Sequence, residues 1–302
     1  MSTSKSFAGV KHIFCPTDLT AKSQKTLMYA MQMAKVLGAK LTAFHSTIDS
    51  WLYQTNGSSI EGVRGIQKEI KEEIIEYLGP ESTEIDFDLI VERAPNPAAE
   101  IVKLARELKA DLIVMKARRG ILSALHFGSI VERVISNTGC PVMLMPSRFL
   151  AERDPAHKEL AFQRVLFDYD FSQATDELFH LANSLTRDYA AELHVLSVLE
   201  PPAAKEVKLA MLTHGHSSLE RAVRNRLCSA IKSEGSSPLT VPTTVEWGAH
   251  AEKVLNYAQT HKIDLVCTAL PLPSYYFEKV YRIYLGQLLT STTCPVLVKQ
   301  CI

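Results

Sequence analysis

The chain has 302 residues, of which 46% are hydrophobic and 22% are charged, a balance typical of a globular protein with about two domains of ~150 residues. Lysine plus arginine and aspartate plus glutamate each total 33, so the formal charge is zero. This excludes the strongly basic surface that general nucleic-acid binding needs. No secretory signal precedes residue 10, and no apolar run approaches the ~18 residues that span a membrane. We therefore expect a cytoplasmic protein.

In chain order, the first half alternates short apolar segments with amphipathic ones. The segment KHIFCPTDLT (11–20) predicts a strand followed by a helix start at Thr20. The strands predicted after it are LTAFHS (41–46), IDFDLIVE (85–92), DLIVM (111–115) and VMLM (142–145). The helices predicted between them include 60–79, 97–109 and one that begins at Gly128-Ser129.

The second half repeats this order. The segment QRVLFDYDFS (163–172) matches 11–20, and the later matches are 192–198, a helical stretch at 204–234, 240–247, a helix at 250–262, DLVCT (264–268) and CPVLVKQ (294–300). Matching landmarks lie 152 to 154 residues apart, as with Asp18 and Asp170 or Cys140 and Cys294. We interpret the chain as a duplication, with domains at 1–147 and 160–302 and a linker at 147–160.

Alternating strands and helices predict an α/β fold: two tandem domains, each a five-stranded parallel sheet with helices on both faces. Apolar runs such as LIVM and VMLM suit strands buried on both faces. The six cysteines form no C-x-x-C pair, so we expect reduced, mostly buried thiols. In such sheets ligands bind at the carboxyl ends of the strands. The loops after strands one and four are therefore the places to look for a site.

The loop after strand four of the first copy ends in Gly128-Ser129, directly before a predicted helix. Backbone N–H groups and a hydroxyl at a helix start can bind an anion. The alternative is a plain helix cap, in which Ser129 and Glu132 form a capping box.

Together, PTDLT after strand one, the DLIVM strand, GSIVERVI and the CPV before the last strand resemble the universal stress protein family, and the resemblance covers both halves. It implies the adenine nucleotide alpha-hydrolase-like fold. It also implies a choice, because some members bind ATP through a G-x2-G-x9-G-(S/T) loop and others lack both the loop and the nucleotide. In ATP-binding members, residues matching Pro16, Thr17 and Asp18 line the adenosine site, and residues at the end of strand two, here around His45 and Ser46, give backbone bonds to adenine.

This sequence departs from that loop. Gly128 and Ser129 match its end, but Lys116 and Arg119, or Met115 and Arg118 in the other register, stand where the first two glycines belong. Two interpretations stay open. Either Lys116, Arg118 and Arg119 bind a phosphate by charge-assisted bonds, or they form a solvated basic loop that takes no ATP.

The second copy has lost the loop, because Arg282 and Ile283 align with Gly128 and Ser129. Its strand-four loop, ALPLPSYYFEKVYRIY, carries two prolines and five aromatics: Tyr275, Tyr276, Phe277, Tyr281 and Tyr284. We expect these rings to pack against the sheet; binding of an apolar ligand is the alternative. His214 and His216 lack the further ligands that a metal site needs.

The resulting expectation is a non-enzymatic tandem universal stress protein, a scaffold or sensor of the stress response that binds a small anion in its first domain. The first rival is an ATP-binding, weakly hydrolysing switch built on Asp18, Lys116–Arg119, Gly128 and Ser129. The second rival binds an apolar ligand through the aromatic loop of domain 2. No metal and no certain cofactor are expected, ATP or another adenine nucleotide being the candidate. The last strands, 142–145 and 296–299, are expected to pair in a pseudo-dimer or homodimer.

Overall fold

The structure is a computed structural model, and its strands and helices follow the predicted order. The residues that it describes are 9–47, 60–117, 129–155, 159–170, 172–199, 216–233, 241–270 and 275–300. Contacts divide the chain into two compact units, Met1–Ala161 and Phe162–Cys301.

The first unit contains five strands, five α-helices and one short 3-10 helix (Pro80–Glu84) among its described residues. The strands are β1 (His12–Thr17), β2 (Lys40–Thr47), β3 (Phe87–Arg93), β4 (Leu112–Lys116) and β5 (Val142–Met145). The helices are α1 (Ala21–Leu37), α2 (Ile60–Leu78), α3 (Pro97–Glu107), α4 (Ser129–Asn137) and α5 (Ser147–Glu152). The strands are parallel in the order β3-β2-β1-β4-β5.

The second unit repeats this topology. Its strands are β6 (Arg164–Asp168), β7 (Glu192–Leu199), β8 (Thr243–Trp247), β9 (Leu265–Leu270) and β10 (Val296–Gln300). Its helices are α6 (Gln173–Asp188), α7 (His216–Ser233), α8 (His250–Thr260) and α9 (Tyr275–Ser291). The order β8-β7-β6-β9-β10, parallel throughout, matches the first unit strand for strand. The predicted fold class is confirmed.

The strand cores are apolar on both faces, as their sequences predict. Leu112–Met115 and Val142–Met145 are buried throughout. Cys15 and Cys267 lie fully buried in β1 and β9, and burial raises the pKa of both thiols. Among the described residues Cys15, Cys140, Cys228, Cys267 and Cys294 are free thiols.

An aspartate ties the amino ends of two neighbouring strands together in each unit. Asp111, just before β4, accepts bonds from the backbone N–H groups of Lys11 (2.9 Å) and His12 (3.0 Å). Asp264, just before β9, does the same with Gln163 (2.9 Å) and Arg164 (3.1 Å). The duplication therefore extends to individual side-chain contacts, and the shared bonds fix the alignment of the first and fourth strands.

The segment that the sequence suggested as a linker is partly helical. Helix α5 lies within it, and Phe149 and Leu150 on this helix are 1% exposed. Phe149 packs on Tyr29 of α1 with ring centroids 5.2 Å apart. These residues therefore belong to the core of the first unit.

The first long helix of each unit ends in a left-handed residue, but only the first unit places glycine there. Gly38 has φ +63°, whereas Ala190 has φ +52° at the equivalent place. The residue after each left-handed position makes the same hydrogen bond back to the helix. The N–H of Ala39 donates to the Ala34 carbonyl, and the N–H of Ala191 donates to the Thr186 carbonyl. A side chain disfavours this conformation, while glycine adopts it freely.

We expect Ala190→Gly to raise the free energy of unfolding by about 1 kcal/mol and Gly38→Ala to lower it by about the same amount. Nothing lies within 4 Å of a Cβ built on Gly38, so backbone strain alone sets the cost. Urea unfolding curves of the two variants measure both changes. Equal signs for the two substitutions would contradict the expectation.

Within the described residues, no helix is both long enough and apolar enough to cross a membrane.

Candidate functional site

The candidate site lies at the carboxyl ends of the neighbouring strands β1 and β4. At this point the strand order reverses, because the chain continues from β1 to β2 on one side and from β4 to β5 on the other. The turn after β1 is tightly organised. Leu19 has φ +59°, a conformation that a leucine rarely adopts. Its N–H donates to the Thr17 hydroxyl at 3.2 Å, and the N–H of Thr20 donates to the Asp18 carboxylate at 3.2 Å. These bonds hold the strained turn at the start of α1.

The Asp18 carboxylate is the hub of this turn. It accepts bonds from the hydroxyls of Thr20 (2.7 Å) and Ser23 (2.5 Å). It also accepts two bonds from the Lys116 ammonium, at 2.6 and 2.5 Å. Burial alone would raise the pKa of Asp18, but the bonds from Lys116, Ser23 and Thr20 outweigh it and hold the pKa well below its usual range. Asp18 is therefore an anion at every physiological pH.

We expect the wild type to lose more stability than Asp18→Asn when the pH falls below about 4, the ordinary pKa of an aspartate in the unfolded chain. Because the folded pKa is depressed, the stabilisation is complete above the unfolded pKa and is lost as the pH falls towards the folded one. Thermal melts between pH 5 and about 2 measure the difference. Parallel pH profiles for the two proteins would contradict it.

The strand-two residues lie beside β1 but are engaged within the protein. His45 pairs with Thr17 in the sheet and donates from Nδ1 to the Thr17 carbonyl at 3.0 Å. Ser46 donates its hydroxyl to the Ala94 carbonyl at 3.0 Å. Pro16, opposite Phe44, is half-buried. Pro16, Thr17, Asp18 and Lys116 thus meet at one edge of the sheet, while the Ser46 hydroxyl is directed to the residue after β3.

A cavity of about 640 Å³ opens beside the Lys116–Asp18 pair. The start of α1, the end of β4 and the start of α5 border this cavity. Its described lining, called the basic pocket below, is Thr20, Ala21, Lys22, Lys116, Ala117, Ser147 and Arg148. Three cations and a helix N-terminus that has no acidic residue in its first turn make it suited to an anion.

Sequence reasoning found Lys116 but missed Lys22, Ser147 and Arg148. The last two follow the closing strand, where the chain was interpreted as a linker. Their only signal was position, because the carboxyl ends of neighbouring parallel strands share one edge of the sheet. Arg148 also pairs with Glu152 one turn later, at 2.9 Å.

Three of the predicted loop residues, Arg118, Arg119 and Gly128, lie outside the described residues. Ser129 is the first residue of α4, so the predicted helix start is in place.

The second unit repeats the turn but not the lysine. Asp170 accepts bonds from the N–H of Ser172 (2.9 Å) and from the Thr175 hydroxyl, as Asp18 does from Thr20 and Ser23. The position matching Lys116 is Ala269. No cation therefore faces this aspartate from the matching position of the fourth strand.

A buried polar cluster occupies the same edge in the second unit. The Asp168 carboxylate, at the end of β6, is 4% exposed. It accepts bonds from Nε2 of His250 (2.8 Å) and from the hydroxyls of Thr268 (2.9 Å) and Tyr284 (2.8 Å). The matching residues of the first unit are Pro16, Pro97, Met115 and Ile130. In the second unit, hydrogen-bonded side chains of the protein therefore occupy the place between the carboxyl ends of β6 and β9.

The aromatic segment of the second unit needs a correction. The sequence suggested a loop through Tyr284, whereas α9 begins at Tyr275 and contains Tyr275, Tyr276, Phe277, Tyr281 and Tyr284. Tyr284 is buried and bonds Asp168 rather than lining a surface. Helix formation pairs the backbone N–H and C=O groups of this apolar stretch with one another. Among the described residues, no group of three or more His, Cys, Asp or Glu side chains could hold a metal ion.

The topology defines a doubly wound α/β protein with two tandem domains. The universal stress protein family model matches residues 9–146 and 161–270. The chain belongs to the universal stress protein family and carries two of its domains in tandem.

Individual relatives agree with this assignment. A universal stress protein of Methanocaldococcus jannaschii is 31% identical over 139 residues, which is 45% of this chain and 81% of the relative. Among solved structures, a universal stress protein from Archaeoglobus fulgidus matches with a TM-score of 0.68, 18% identity and 97% coverage of both chains. A Pseudomonas aeruginosa protein of unknown function matches with a TM-score of 0.62, 13% identity and coverage of 96% and 92%. At these identities the structural likenesses show the fold alone.

Proposed function

We propose that the protein is a cytoplasmic, non-enzymatic scaffold or sensor of the stress response whose first domain binds a small anionic ligand. The observation that supports this most is the basic pocket, a cavity at the start of α1 that is lined by Lys22, Lys116 and Arg148. Phosphate oxygens fit both the helix N-terminus and the cationic side chains. None of the described residues lining the cavity is a histidine, a carboxylate or a cysteine. This lining favours binding over acid–base or nucleophilic catalysis.

The test is isothermal titration calorimetry of the full chain with inorganic phosphate, AMP and ATP. We expect an anion to bind and Lys116→Met to weaken it by about tenfold or more, since a charge-assisted bond contributes about 1.5–3 kcal/mol. Lys103→Met, a surface lysine paired with Glu100 on α3 at 2.8 Å, is the matched control and should change nothing. Unchanged binding by Lys116→Met would place the anion elsewhere.

The alternative is an ATP-binding, weakly hydrolysing switch that uses Asp18, Lys116, Arg118, Arg119, Gly128 and Ser129. It is favoured by the start of α4 at Ser129, because the first turn of a helix offers free backbone N–H groups to a phosphate. ATP binding much tighter than AMP or phosphate binding, abolished by Gly128→Glu, would support it. No heat and no thermal shift at millimolar ATP would end it.

For assembly, we propose pairing through the last strands, which stand at one end of the strand order in their own units. The pairing is within the chain, as a pseudo-dimer, or between two chains. Light scattering coupled to size exclusion distinguishes a 33.6 kDa monomer from a dimer.

A further inference from the structure

Lys116 is the cation best placed to bind an anion in the basic pocket, yet its donors are already in use. A lysine ammonium has three N–H donors. Lys116 Nζ makes three contacts, to the two oxygens of Asp18 (2.6 and 2.5 Å) and to the Thr20 hydroxyl (2.6 Å). A ligand can therefore bond this ammonium only by displacing a partner from within the protein.

We propose that Asp18 is a built-in competitor for the ligand of the basic pocket, a carboxylate that occupies Lys116 until a phosphate displaces it. The inference rests on the proposed anion site and concerns which anions that site accepts. It gives Asp18 a role opposite to that of a ligand-binding residue.

The geometry allows the exchange without dismantling the turn. When Lys116 swings to a ligand, the Asp18 carboxylate keeps its bonds to the Thr20 N–H and hydroxyl and to the Ser23 hydroxyl. Lys116 is held between β4 and α1 with 16% of its side chain exposed, whereas Asp18 is 43% exposed and so remains solvated. The carboxylate thus stays anchored beside the site.

An anchored carboxylate sets a threshold for the incoming anion. The ligand must replace two charge-assisted bonds of Lys116 and must then lie near a fixed negative charge, which like-charge repulsion disfavours. A phosphate with two charges and several acceptor oxygens can regain those bonds from Lys116, Lys22 and the start of α1. A singly charged anion with fewer acceptors cannot. The pocket is therefore selective for phosphate groups over carboxylates and halides.

The second unit provides an internal control. Asp170 makes the same turn, but Ala269 stands in place of the lysine, so Asp170 has no matching ammonium to withhold from a ligand. Substituting Asp170 tests the effect of altering the turn alone.

The experiment measures the binding of inorganic phosphate and of acetate by isothermal titration calorimetry. The proteins compared are the wild type, Asp18→Asn, Asp170→Asn and Lys116→Met. Asparagine also forms this turn, and circular dichroism verifies folding. Asp18→Ser, another short turn-forming side chain, is the second variant. We expect Asp18→Asn to bind phosphate about tenfold tighter or more than the wild type, with acetate becoming a measurable ligand. Asp170→Asn should match the wild type.

The outcomes separate this inference from the proposed function. If the wild type binds phosphate, Lys116→Met does not, and Asp18→Asn binds equally or more weakly, the competitor role is overturned while the anion site stands. If phosphate binds neither to the wild type nor to any variant, both the competitor role and the proposed anion site are overturned. Binding by Asp18→Asn alone supports the competitor role in its strongest form.

Discussion

Replacing Asp168 with alanine is expected to lower the free energy of unfolding of the second domain by about 3–5 kcal/mol. The carboxylate is 4% exposed and is the shared acceptor for His250, Thr268 and Tyr284. Without it, His250, Thr268 and Tyr284 lose this shared acceptor together, and the loss of a hydrogen bond to a charged group costs about 1.5–3 kcal/mol. Tyr284→Phe, which removes a single donor and keeps the acceptor satisfied, should cost only about 1 kcal/mol.

Urea unfolding followed by Trp247 fluorescence measures this change. Trp247 ends β8 and donates to Glu220 at 2.8 Å, so its emission reports the second domain. The chain has two tryptophans, and Trp51→Phe leaves Trp247 alone. Glu177→Ala, which breaks an exposed pair with Lys299, is the control and should cost below about 1 kcal/mol. An Asp168→Ala cost as small as that of the control would show that the cluster contributes little to folding.

Phe149→Ala is expected to destabilise the first domain by a comparable amount, about 3–5 kcal/mol. The ring is 1% exposed, packs on Tyr29 at 5.2 Å and lies under the Arg153 guanidinium at 5.1 Å. Its removal exposes the face of α1 that α5 covers and leaves a cavity between the two helices. A true linker residue would change stability by no more than about 0.5 kcal/mol.

Thermal and urea unfolding of Phe149→Ala provide the measurement, with Glu152→Ala as the control from the same helix. Glu152 is exposed and pairs only across one turn with Arg148 among its described contacts, so its loss should be small. Equal stabilities for the two variants would mean that the first domain folds without α5. In that case Phe149 would be packed but not required.

The fold was predictable because its central strands are short apolar runs in the sequence. The runs IFC (13–15), LIVM (112–115) and VMLM (142–145) are buried on both faces, and such runs identify strands of a parallel sheet without any knowledge of their partners. The duplication was equally visible, because landmarks such as Asp18 and Asp170 recur at a nearly constant spacing. Helix α5 escaped prediction, since six residues are too few for a helical period to stand out. Its burial is decided by Tyr29, which lies far away in the sequence.

The site was predictable in its location but only partly in its chemistry. Asp18 and Lys116 could each be named from the loops that follow strands one and four. Their ion pair joins residues 98 apart, and only the adjacency of β1 and β4 brings them together. The Asp168 cluster was beyond sequence reasoning for the same reason, because His250, Thr268 and Tyr284 come from three separate elements.

The aspartates at the amino ends of the strands have a consequence for sequence divergence. Asp111 and Asp264 bond main-chain N–H groups, so the side chains at the receiving positions are irrelevant to the bond. Lys-His in one copy and Gln-Arg in the other serve equally well. Any residue except proline keeps the required N–H. Because each aspartate aligns the first and fourth strands of its own domain through main-chain groups, the two domains can diverge in sequence without losing this alignment. Each domain can also be redesigned separately.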